Sequence, residues 1–147
     1  MAVRVEDRYR NGGGKMRVLM ACNKLAVYTT NITDNPNKFN PVHGRIIDRI
    51  TGTATEIYYT ARAANEIRVV DRHTRMERRV NQKRALQLCG RLTTDICIAQ
   101  GVFHLPAKRV RHWDSLVEDA AILLQAWIRA EDLQYSKYPL INERTGS

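Results

Sequence analysis

The chain has 147 residues, 44% apolar and 27% charged, a balance that fits one folded domain with its own core and excludes global disorder. Its 24 Lys and Arg outnumber 15 Asp and Glu, for a formal net charge of +9, which directs attention to anionic partners: nucleic acid, an anionic membrane surface or an acidic protein. No apolar run reaches the roughly 18 residues of a membrane span, and the N-terminus lacks the apolar stretch of a signal peptide, so a cytoplasmic protein with no membrane partner is expected.

Residues 1–15 read as a flexible basic tail, in which Arg4, Arg8, Arg10 and Lys15 outnumber Glu6 and Asp7 and Gly12-Gly13-Gly14 breaks the chain. Four helical segments over 16–138 follow, with no strand alternation. The first runs from about Met16 to Thr33, with Leu25, Tyr28 and Ile32 at helical spacing, and "TDNPNKFNP" (33–41) ends it in a loop. The second runs from about Pro41 to Arg68, with Asn40 as cap and Pro41 at the first position; Ile46, Ile50, Ala54, Ile57, Ala61 and Ala64 make its apolar stripe. The third starts between Asp71 and Thr74, where Thr74 and Glu77 fit a capping box, and runs to about Gln100; Leu88, Leu92, Ile96, Ala99 and Phe103 share a face. The fourth runs from about Pro106 to Ser136, with Trp113, Val117, Ala120, Leu124, Trp127 and Ile128 on one side. Residues 139–147 read as a C-terminal tail. Short loops force sequential helices to run antiparallel, so the expected fold is all-α, an up-down-up-down four-helix bundle.

Within that bundle Trp113 and Trp127 are expected in the core. Tyr58 and Tyr59 are adjacent and point to different faces, so at least one leaves the core and is free to stack on a base or a neighbouring subunit. Cys22, Cys89 and Cys97 are an odd number at no metal-ligand spacing and read as buried free thiols, Cys89 and Cys97 on roughly one helix face.

The stretch "RHTRMERRVNQKR" (72–84) holds six cations and one acid, Glu77. Arg75, Arg79 and Lys83 fall within about 60° of Arg72 at 100° per residue, while the apolar face from Leu88 to Phe103 centres near about 200°. The expectation is a one-sign ridge pointing away from the core, at the helix end whose dipole disfavours cations. "AKRVRHW" (107–113) repeats the pattern with Lys108, Arg109, Arg111 and His112 at the start of the fourth helix. Helix starts already favour phosphate, so Arg72, Arg75, Arg78, Arg79, Lys83, Arg84, Lys108, Arg109 and Arg111 are the candidate nucleic-acid contacts. Antiparallel helices put the two basic starts at opposite ends of a monomer. On this reading Arg75, Arg79 and Lys83 tolerate replacement by Gln without loss of the fold.

Catalytic chemistry is not legible. Gly12 to Gly14 precede Lys15, but no strand leads in and no Ser or Thr follows, so no P-loop is present. His43, His73, His104 and His112 are scattered, and the acid pairs Glu118–Asp119 and Glu131–Asp132 read as helix surface. The expectation is a non-enzyme with no cofactor and no metal.

The stretches "NKLAVYTTNIT", "NEIRV", "RMERRVNQKRALQLC", "GVFHLPAKRVRHW" and "LLQAWIRAED", in this order over residues 14–138, resemble the accessory variability determinant (Avd) family of diversity-generating retroelements. These are four-helix bundles related to the small proteins encoded in intervening sequences of bacterial ribosomal RNA genes. The resemblance implies a homopentameric ring with a positive surface that binds the retroelement's reverse transcriptase, its template RNA and the cDNA, in support of mutagenic reverse transcription. The alternative is a bundle of the intervening-sequence type, a general RNA-binding or protein-interaction module. The N-terminal extension and C-terminal tail are not explained by the resemblance.

Overall fold

The apolar stripes become four helices. The computed structural model describes residues 14–140, and the tail readings at 1–13 and 141–147 lie outside the described residues. Helix α1 spans Gly14–Thr33, a 3-10 turn spans Pro41–His43, α2 spans Gly44–Glu66, α3 spans Arg72–Phe103 and α4 spans Ala107–Gln134; there is no strand among the described residues. Gly14 and Lys15, expected in the tail, already belong to α1.

The helix ends explain where the boundaries moved. Asn40 Oδ1 accepts from the Val42 N–H at 3.0 Å, as its capping role predicts, but it caps the 3-10 turn and α2 begins only at Gly44. The box that starts α3 lies three residues upstream of the expected one: Asp71 Oδ1 accepts from the Thr74 N–H at 2.8 Å and Thr74 Oγ1 accepts from the Asp71 N–H at 3.1 Å. Glu77 instead meets His73 Nε2 at 2.6 Å. Gly101 does not stop α3. The helix continues to Phe103, where His104 takes a left-handed φ of 52°, and the His104 and Leu105 N–H groups both return to the Gln100 carbonyl.

Helix α1 packs on α2 and α4, and α3 packs on the same two, so the four make a square in section. Contacts between early and late positions show the directions. Thr53 of α2 meets Asp95 of α3, Arg75 at the start of α3 meets Asp132 at the end of α4, and Trp113 at the start of α4 meets Thr29 at the end of α1. Neighbours therefore run antiparallel, as short loops require.

The expected stripes are buried: Ile50, Ala54, Ile57, Ala61 and Ala64 on α2, Leu88, Leu92, Ile96 and Ala99 on α3, and Trp113, Val117, Ala120, Leu124 and Trp127 on α4. Trp113 donates its indole N–H to Thr29 Oγ1 at 2.9 Å, so a polar handle is satisfied inside the core. Phe39, from the α1–α2 loop, closes that end against Phe103 and Trp113. Cys22 and Cys89 are buried and burial pushes both thiols up to about 12, with Cys89 adding to the effect on Cys22. Cys97 is exposed, because a buried α3 stripe that passes through Cys89 and Ile96 leaves the next residue outside. Leu140 is buried, so the segment expected to fray from Pro139 still packs against the bundle there.

Candidate nucleic-acid interface

The buried side of α3 includes Arg75, Arg78, Gln82, Ala85, Cys89, Leu92, Ile96 and Ala99, with Phe103 half-buried beyond them. Their spacings alternate three and four, a heptad repeat. A 3.5-residue repeat drifts about 20° per heptad against a straight helix, so a face defined at Phe103 has moved substantially by Arg75. The fixed 100° step misplaces the first turns for this reason. The expected outward ridge is therefore corrected: Arg75 and Arg79 are buried, each at 5% exposure, and so is the further candidate contact Arg78, at 3%.

These cations are matched by acids from α4. Glu131, 3% exposed, accepts from Arg78 Nε at 3.0 Å on Oε1, and its Oε2 stands 2.6 Å from Arg78 Nη2 in an ion-pair contact. The same carboxylate accepts Gln82 Nε2 and Trp127 Nε1, each at 2.9 Å, and the Arg78 guanidinium lies 5.1 Å from the Trp127 ring. Arg78 Nη1 also donates to the Ile67 carbonyl at 2.9 Å, which ties the α2–α3 loop to the cluster. Arg75 Nη2 donates to Asp132 Oδ1 at 2.9 Å, Arg79 donates to the same oxygen, and Arg75 Nη1 holds the Tyr135 and Tyr138 carbonyls. Lys15 of α1 stands near this cluster, and its amine is lowered from the usual lysine range, first by burial and then by Arg78, against an opposing pull from Glu131. Glu131 and Asp132, read from sequence as surface, are instead the counter-charges of the buried end. The signal that finds them is the heptad extended backward into Arg75 and Arg78, since a buried Arg demands an acid opposite.

The other candidate cations do reach solvent. Arg72, Lys83, Arg84, Lys108 and Arg111 are exposed and Arg109 is half-buried. Arg84 faces Glu56 of α2 at 3.4 Å. Arg72, Lys108, Arg109 and Arg111 have no ion pair among the described residues. Helix α4 starts at Pro106 with no side-chain cap and no acid in its first turn, leaving backbone N–H groups and the positive dipole end beside Lys108, Arg109 and Arg111. Arg72 lies at the opposite end of the bundle, so the two basic starts do not adjoin.

No family model, no curated protein and no solved structure matches the chain.

Other chemistry is sparse around these cations. His112 packs its ring 5.1 Å from Tyr28. Asp114, about two turns into α4, has its carboxyl raised from the usual range by burial. No group of three His, Cys, Asp or Glu side chains is placed to hold a metal among the described residues, and no helix there is long and apolar enough to cross a membrane.

Proposed function

We propose that the protein is a non-enzymatic, nucleic-acid-binding accessory subunit of a diversity-generating retroelement, working in the cytoplasm as a homopentamer beside the reverse transcriptase and its template RNA and cDNA. The observation that carries the nucleic-acid part is the set of cations at the start of α4, exposed Lys108 and Arg111 and half-buried Arg109, which have no ion pair among the described residues. The molecule neutralises Arg75, Arg78 and Arg79 with acids of its own, yet supplies none here among the described residues. The reverse transcriptase, the template and the ring rest on the resemblance of the five stretches quoted above.

The contacts are to phosphates, so they position the strand without reading bases. Each phosphate contact contributes a salt slope of roughly 0.7 for single strands and about 0.9 for duplex DNA. The test is K108Q/R109Q/R111Q titrated with fluorescent RNA at several salt concentrations. Affinity is expected to fall for unrelated sequences alike, and the salt slope to flatten by about two units. Parental affinity with an unchanged slope sinks the nucleic-acid reading.

A further inference from the structure

Tyr59 is 70% exposed, more than any other large aromatic side chain among the described residues, and it stands at a groove between α1 and α2. The groove holds about 300 Å³ and is lined by Asn23, Ala26, Val27, Thr30, Asn31, Thr55, Tyr58 and Tyr59. That volume lies at the small end of ligand sites, roughly 300–1,000 Å³. No charged side chain lines it among the described residues. The Asn23 and Asn31 amides make no hydrogen bond among the described residues, so they can both donate and accept.

The two tyrosines are held differently. Tyr58 is half-buried, and its hydroxyl accepts from Arg62 Nη1 at 3.2 Å while the guanidinium lies 5.9 Å from its ring. Tyr59 is 6.4 Å from Tyr58, ring to ring, at an interplanar angle of 42°, and leaves its own ring to solvent. Arg62 reaches Glu66 at only 3.6 Å through its other nitrogen, with the side chains 49% and 68% exposed, so a phosphate can replace that weak partner. Exposed Lys24 stands beside Asn23 on α1.

We infer that the α1–α2 groove takes an unpaired nucleobase from single-stranded nucleic acid, stacked on Tyr59, with the Asn23 and Asn31 amides at the base edge and Arg62 at the adjoining phosphate. An aromatic face with polar edges and a cation beside it matches a base attached to a charged backbone, and stacking of this kind tolerates any base. A base paired within a duplex is already stacked on both sides and cannot enter the groove. The groove therefore gives a preference for single strands that phosphate contacts alone do not give. This inference rests on the nucleic-acid reading above and names the strand form that reading leaves open.

The test compares Tyr59→Ala, Tyr59→Phe and the parent against a fluorescein-labelled single-stranded oligonucleotide and its duplex, across a salt series. Tyr59→Ala is expected to weaken single-strand binding about tenfold, to leave duplex binding and the salt slope unchanged, and to abolish the preference between them. Tyr59→Phe is expected to bind like the parent, because the ring carries the stacking. Equal losses on both strand forms, or no loss on either, overturn the groove. In that event K108Q/R109Q/R111Q still reports separately on the phosphate surface through its salt slope. A Tyr59→Ala variant that keeps its affinity but changes mass in light scattering shows that the groove belongs to a protein contact instead. A parent that binds neither strand form overturns both readings.

Discussion

Two helix starts in this molecule carry similar sequences and do opposite things. At the start of α3, Arg75, Arg78 and Arg79 turn inward and are matched by Glu131 and Asp132; at the start of α4, Lys108, Arg109 and Arg111 meet no acid among the described residues and face water wholly or in part. The capping differs in the same sense, since α3 has the Asp71–Thr74 box and α4 begins with a bare Pro106. A run of cations does not itself say whether it is surface or core. The acids on the neighbouring helix decide.

The comparison is broken most forcefully at Glu131. Replacement by Ala leaves the Arg78 guanidinium buried and removes the acceptor of Gln82 and Trp127, and a loss of about 3–5 kcal/mol is expected in chemical denaturation. A variant as stable as the parent would show the buried end to be dispensable.

The next effect is R75Q/R79Q/K83Q, which an outward ridge would make silent. The structure instead has Arg75 and Arg79 as buried partners of Asp132, so a loss of about 2–3 kcal/mol is expected, less than at Glu131 because the Asp132 side chain is 45% exposed. Thermal unfolding beside K108Q/R109Q/R111Q sharpens the contrast. The α4 variant removes no intramolecular ion pair among the described residues, and its stability is expected to stay within about 0.5 kcal/mol of the parent.

The smallest effect belongs to the cap. Hydrogen bonds from the Thr74 backbone and hydroxyl hold the Asp71 carboxyl below the usual aspartate range. A depressed carboxyl contributes stability above its unfolded pKa, about 3.9, and loses it as pH falls through the folded value. Asp71→Ala is expected to remove a small acid-sensitive part of the stability, visible as parent and variant melting curves that converge below about pH 4. Curves separated by a constant interval down to low pH would argue against the cap.

The helices and most of the core were readable because apolar residues recurring three and four apart, as at Ile50, Ala54, Ile57, Ala61 and Ala64, line up only on one face of a helix. The buried end was not, for two reasons. Arg is normally a surface residue, so Arg75 and Arg78 do not announce themselves as the continuation of the Ala85–Ala99 stripe. Their partners, Glu131 and Asp132, lie on another helix more than fifty residues away in the chain, and only the antiparallel pairing of α3 with α4 brings them across. The α4 start was legible since Lys108 and Arg111 are exposed and no acid pairs with them among the described residues. Tyr59 was legible only as one of two neighbours that could not both be inside.

The buried hydrogen bonds on Glu131 also fix the axial register of the bundle. Apolar side chains at the Trp113 end attract without direction, and sliding α3 past α4 by one turn, about 5.4 Å, would exchange one set of such contacts for another. At the opposite end the same slide would carry Glu131 out of reach of Arg78 and Gln82 together, because the hydrogen bonds from Arg78 Nε and Gln82 Nε2 are 3.0 Å and 2.9 Å long and each needs its own angle. One alignment of the two helices satisfies all of these bonds at once, so the polar end acts as the latch that sets where every apolar layer along α3 and α4 must meet.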